Sequence, residues 1–198
     1  MDTQDSHITI KIIIIGDSGV GKTSIIESYT RQELNPHPAS TIGVDFFIKY
    51  LTIDDLNVKV VVWDTAGQEK YRAINRSYHR GSDAVLMVFD LGTQSSFDNL
   101  CHWLDQITKH APSEKFLKIL VGNKTDDKVV VDDDQIDKFL ESHPDFTYFV
   151  TSAIKNQNIE LLFDRCIRDC IKTKSYQVIN RNKIELKKEP NLDECCKN

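Results

Sequence analysis

The chain has 198 residues, 40% of them hydrophobic and 28% charged, which suits one globular domain with a tail. A formal charge of −5 argues against a broad basic face for nucleic acid, so any nucleotide partner is expected to be a small molecule. Five cysteines, at positions 101, 166, 170, 195 and 196, have neither zinc-site spacing nor the density of a disulfide scaffold, and a reducing cytosolic compartment is expected.

The first segment, Met1 to Gly16, sets acidic residues before an apolar run too short to cross a bilayer or to act as a cleaved signal, so secretion is not expected. Near-continuous apolar runs at Ile8 to Ile15, Val58 to Trp63, Ala84 to Phe89, Phe116 to Val121 and Thr147 to Val150 predict strands covered on both faces. Polar, helix-like stretches separate them, which predicts an α/β fold: a six-stranded, mostly parallel sheet with helices on both faces. Val44 to Ile53 is the exception. It reaches the next strand through Asp54, Asp55, Leu56 and Asn57, too short a link for a crossover, so this one strand is predicted antiparallel.

Directly after the first strand, Gly16-Asp17-Ser18-Gly19-Val20-Gly21-Lys22-Thr23 fits G-x-x-x-x-G-K-[ST] in its strand-to-helix setting. Its glycines allow successive N–H groups to point inward beside a helix N-terminus, a cradle for phosphates formed by Ser18, Gly19, Val20, Gly21, Lys22, Thr23 and Ser24. Lys22 is expected to bridge the β- and γ-phosphates, and the Thr23 hydroxyl to bind Mg²⁺. Trp63-Asp64-Thr65-Ala66-Gly67-Gln68 ends the third strand at the same sheet edge. Asp64 is expected to hold the metal, with a turn cap as the alternative. Gly67 would bring an N–H to the γ-phosphate and Gln68 would orient an attacking water.

After the fifth strand, Asn123-Lys124-Thr125-Asp126 points to guanine, because the Asp126 carboxylate can accept from N1–H and the 2-amino group, donors that adenine lacks on that edge. Discrimination of roughly 10⁴ over ATP follows if the pocket is partly dry. That disfavours a P-loop ATPase or kinase. Ser152 and Ala153 add a loop in which Ser152 braces Asp126 and the Ala153 N–H reaches the guanine O6. Near the end, Ile159, Leu162, Phe163, Cys166, Ile167, Cys170 and Ile171 form one helical stripe, with both cysteines as small core residues. From Ser175 the stripe stops, which sets residues 1–174 as the nucleotide-binding domain and 175–198 as a flexible tail.

These runs, together with Ser40-Thr41-Ile42-Gly43-Val44-Asp45-Phe46, Lys70-Tyr71-Arg72-Ala73-Ile74, Tyr78-His79-Arg80-Gly81 and Cys195-Cys196, resemble the Rab family of small GTPases in the Ras superfamily. The resemblance covers nearly the whole chain. It implies a GTP/GDP switch of vesicle-mediated protein transport, with a first switch at Leu34 to Val44 and a second at Thr65 to Tyr78. It implies that Thr41 joins Thr23 and Asp64 on Mg²⁺, and that Gln68, Lys22 and Thr41 serve a slow hydrolysis. It places effectors on Ile42, Phe46, Trp63, Tyr71 and Tyr78; for Phe46, Trp63 and Tyr78 a buried core set is the alternative. An exchange factor, an activating protein, a dissociation inhibitor or escort protein, and effectors are the implied partners of a monomer.

The tail's five basic residues barely outnumber its four acidic ones, so it is no polybasic anchor. The resemblance instead implies prenylation of Cys195 and Cys196, placing the protein in the cytosol and on the cytoplasmic face of intracellular membranes. Two departures fall at the guanine pocket. Leu34 stands where the family usually has an aromatic ring, and Ile154 where it usually has the lysine of Ser-Ala-Lys; both are expected to hasten nucleotide release.

Overall fold

The computed structural model describes residues 8–30, 44–65, 81–110 and 116–185. Six strands form one sheet: β1 (Ile8–Ile15), β2 (Val44–Ile53), β3 (Leu56–Thr65), β4 (Ala84–Asp90), β5 (Leu117–Asn123) and β6 (Phe146–Val150), in the order β2-β3-β1-β4-β5-β6. All neighbours pair in parallel except β2 with β3, as the short link between those strands requires.

Alternation along β1 divides the core in two. Ile10, Ile12 and Ile14 face α1 (Lys22–Thr30) and α5 (Ile159–Glu185), where Ile25, Ile26, Leu162, Phe163 and Ile167 complete the packing. Ile13 and Ile15 face the other way, towards α3 (Leu100–His110) and α4 (Asp133–Ser142), against Trp103, Ile107, Ile136 and Phe139. A short helix, α2 (Gln94–Asp98), precedes α3. Every residue of β4 is buried, so its unbroken apolar run reflects cover on both faces.

Asp132 caps α4, its carboxylate accepting from the Asp134 N–H while the Gln135 side chain reaches back to the Asp132 N–H. The Cys166 and Cys170 side chains are buried within the α5 stripe. A hydrogen bond donated by its S–H to Cys170, with burial, holds the Cys166 thiol well above its ordinary pKa, which suits an unreactive core group. Lys49 on β2 lies with its ammonium 3.7 Å from the Tyr29 ring centre, and donates to the Tyr29 carbonyl at 2.8 Å, closing the last turn of α1.

Several strand ends differ from the sequence expectation by one or two residues, and two boundaries differ for a physical reason. The β2–β3 link is Asp54 and Asp55 alone, with Ile53 already paired to Leu56. Both aspartates have positive φ, 48° and 65°, the twist a two-residue hairpin needs, and Arg168 donates to the Asp54 carboxylate at 2.9 Å. Helix α5 continues past Ser175 to Glu185, because an apolar stripe reports burial whereas helix propensity carries the polar residues on. Among the described residues no helix is long and apolar enough to cross a membrane.

Candidate functional site

The site lies at the carboxyl ends of β1, β3 and β5, beside the point where the connection leaving β1 runs towards β2 and the connection leaving its neighbour β4 runs the other way, towards β5. Chain reversal after Ile15 depends on Gly16, Gly19 and Gly21, at φ 142°, 81° and 94°. Two of them also admit close neighbours. A Cβ on Gly16 would stand 2.1 Å from the Val88 carbonyl oxygen, and one on Gly21 would stand 2.4 Å from Asn123 Nδ2. The loop therefore lies flush against β4 and the end of β5, and its next residues open α1.

Lys22 is buried and folds back over the loop, donating to the Gly16 carbonyl at 2.9 Å and the Asp17 carbonyl at 2.7 Å. Burial lowers its pKa to about 8 and outweighs the raising effect of the Asp64 and Asp17 charges, so its positive charge is costly here and further anions would favour it. Thr23 Oγ1 donates to Asp64 Oδ2 at 2.6 Å, joining the start of α1 to the end of β3. A hydroxyl and a buried carboxylate converging here form a hard oxygen donor pair, which fits Mg²⁺ chemistry. Ser18 and Gly19 are exposed at the loop crest, and Ser24 is half-buried on α1.

The second half of the site is built on Asn123, a buried polar residue at the end of β5. Its Nδ2 donates to the Val20 carbonyl at 2.9 Å, reaching into the glycine loop. Its Oδ1 accepts from Thr151 Oγ1 at 3.1 Å and from the Ala153 N–H at 3.2 Å. One side chain thus joins three loops. Ser152 is buried and donates to the Asp126 carboxylate, while its own oxygen accepts from the Lys155 N–H at 3.1 Å. The brace expected from sequence is therefore present. Lys124, at φ 65°, donates to Asp90 Oδ2 at 2.8 Å. A cleft of about 250 Å³ lies along this edge, between Ser18 to Val20 on one side and Asp90 and Lys124 on the other.

Sequence reasoning missed Asp90 and Thr151. Asp90 accepts from the Gly92 N–H at 2.8 Å and pairs with Lys124. A usable signal existed for it: like Asp64 and Asn123, it is a polar residue closing a buried apolar strand at the sheet's carboxyl edge. A further tie, from Ser28 Oγ to Asn156 Oδ1 at 2.9 Å, connects α1 to the loop after β6 and has no local sequence signature.

Ile154 is 70% exposed, a leucine-sized apolar surface beside the base loop. Phe46 and Trp63 face each other across β2 and β3 with ring centres 5.8 Å apart. Phe46 is 55% exposed and Trp63 half-buried beneath the Lys11 ammonium, so these two aromatics form a surface rather than a core. Thr41, Ile42, Gly67, Gln68, Tyr71, Tyr78, Leu34, Cys195 and Cys196 lie outside the described residues.

Residues 11–172 match the Ras family model. The chain is 37% identical over 175 residues to the Ras-related protein Rab-18 of Lymnaea stagnalis, covering 87% of this chain and 86% of that one. It is 39% identical to human Ras-related protein Rab-30, over 82% of this chain and 80% of that one. Against the GTP-binding protein ypt3 of Schizosaccharomyces pombe the identity is 37%, over 88% and 79%.

Proposed function

This chain belongs to the Ras family and, within it, to the Rab small GTPases, and from that premise we propose that it is a Mg²⁺-dependent GTP/GDP switch for vesicle-mediated membrane traffic. The observation that supports the switch reading best is Asn123, which ties the phosphate cradle to the base loop. A ligand that carries both a polyphosphate and a base would span the two halves.

In this reading Lys22 leaves its two loop carbonyls for the β- and γ-phosphates, where anions offset the cost of its buried charge. Inward N–H groups of Ser18 to Ser24 bind the phosphate oxygens. Thr23, Thr41 and Asp64 would hold magnesium, which when bound neutralises charge on the phosphate oxygens. Asp126, oriented by Ser152, accepts from the guanine edge, and the Ala153 N–H donates to O6.

Gln68 orients a water for in-line attack on the γ-phosphorus. The new P–O bond forms as the bond to the β,γ-bridging oxygen breaks, giving GDP and phosphate. Without an arginine supplied by an activating protein, turnover on the order of 10⁻⁴ to 10⁻³ s⁻¹ is expected of a Ras-type site. Loss of the γ-phosphate releases Thr41 and Gly67, and with them the contacts that effectors read beside Phe46 and Trp63. Prenylation of Cys195 and Cys196 belongs to the same proposal, and intact mass of protein from its native cells checks it.

The deciding experiment loads the purified protein with labelled GDP and competes it with GTP and ATP. Retention at micromolar concentrations, displaced by GTP and not by ATP, is the expected result. Loss of label on desalting, or displacement by ATP, would defeat the proposal. Capture of different partners by the GDP-loaded and GTP-analogue-loaded forms tests the switch itself.

A further inference from the structure

The second residue of the glycine loop is an aspartate, an odd charge to set beside a polyphosphate, and its carboxylate is not left to water. Asp17 Oδ1 accepts from Trp103 Nε1 at 2.8 Å, and Oδ2 accepts from Asn99 Nδ2 at 2.6 Å. The same residue's main-chain carbonyl accepts from Lys22 Nζ at 2.7 Å. Asn99 and Trp103 are one helical turn apart, with the Trp103 N–H bonded to the Asn99 carbonyl, so both donors come from a single preorganised turn at the start of α3. Trp103 is buried among Ile13, Val85 and Ile107, which fixes the direction of its indole N–H.

We infer that Trp103, with Asn99, is a positioning residue for the phosphate cradle, acting through Asp17 although it stands 86 residues away in the chain. The pair performs two tasks. It fixes the peptide whose carbonyl places the Lys22 ammonium, and it draws the Asp17 negative charge towards two N–H donors and away from the phosphates. Helix α3 holds none of the residues assigned to the nucleotide, yet through this contact its first turn governs how firmly the loop grips.

The inference rests on the nucleotide-binding reading above, and release of a fluorescent GDP from the full-length protein separates the two. If the wild type retains no GDP, that reading fails. Given retention, Trp103→Phe keeps a ring but removes the donor, and is expected to speed release about tenfold. Because Trp103 is buried, Asn99→Ala provides the exposed-site counterpart, with a smaller acceleration of about threefold. The distinguishing readout is a double-mutant cycle with Asp17→Ala. Once the carboxylate is gone, Trp103→Phe should change the release rate by less than about twofold, whereas a merely structural tryptophan would add its full effect. Full additivity, or wild-type release rates in both Trp103→Phe and Asn99→Ala, overturns the inference.

Discussion

Replacing Asn123 tests whether one buried side chain unites the site. Asn123→Ala leaves the Val20 carbonyl and the Ala153 N–H without their partner, and both are held in place by surrounding backbone. The Thr151 hydroxyl also loses its acceptor but can rotate to another. At about 1 to 3 kcal/mol for each stranded buried group, the two fixed groups imply a loss of about 2 to 6 kcal/mol, a large part of a typical domain's 5 to 15 kcal/mol. Asn123→Asp is the sharper probe. It keeps an acceptor for Thr151 and Ala153 but turns a second oxygen towards the Val20 carbonyl, so it severs the tie to the phosphate loop. Urea unfolding should place Asn123→Ala at least about 2 kcal/mol below wild type, and fluorescent GDP should leave Asn123→Asp at least tenfold faster, the factor that about 1.4 kcal/mol supplies. Stability within about 0.5 kcal/mol of wild type, or unchanged GDP release in Asn123→Asp, would refute the reasoning.

Gln68→Leu should lower single-turnover intrinsic hydrolysis by at least about tenfold while GTP affinity stays within about threefold; an unchanged rate removes Gln68 from the water-positioning role. Leu34→Phe should slow stopped-flow release of a fluorescent GDP, since a ring gives the base more contact than a leucine; no slowing would defeat that idea. Burial, reinforced by the charges of Asp133 and Asp137, pushes the Tyr148 phenol up to about 12. A raised folded pKa means a contribution present below pH 10 and lost as pH climbs from 10 through 12, so Tyr148→Phe should lose less stability than wild type between pH 9 and pH 11 in urea titrations. Tyr29 shifts in the same direction and keeps part of the loss in the variant.

What was legible in the sequence was local. The glycine loop, Asp64, Asn123 to Asp126 and Ser152-Ala153 sit on contiguous runs whose chemistry follows from spacing, and the sheet follows from apolar runs that need cover on both faces. What was hidden depended on contacts distant in the chain. Asp17 reads as an ordinary loop acid until α3 folds against it and supplies Trp103 and Asn99. The Asp54-Asp55 turn lacks the glycine that usually marks such a reversal, and its support from Arg168 comes from 114 residues further on. Ser28 meets Asn156 only because α1 and the loop after β6 pack on the same face. The length of α5 escaped because its apolar stripe ends at Ile171, well before the helix does.

Strand β1 carries its own implication for how a nucleotide leaves. Flanked by β3 and β4 and with Ile12, Ile13 and Ile14 wholly enclosed, it should be among the last segments to give up its amide protons to deuterium. The loop that springs from it therefore has an immovable root. Departure of a bound ligand is expected to proceed by yielding of the surrounding walls and of the contacts that steady the loop, while the strand from which the loop springs stays as it is until the whole domain comes apart.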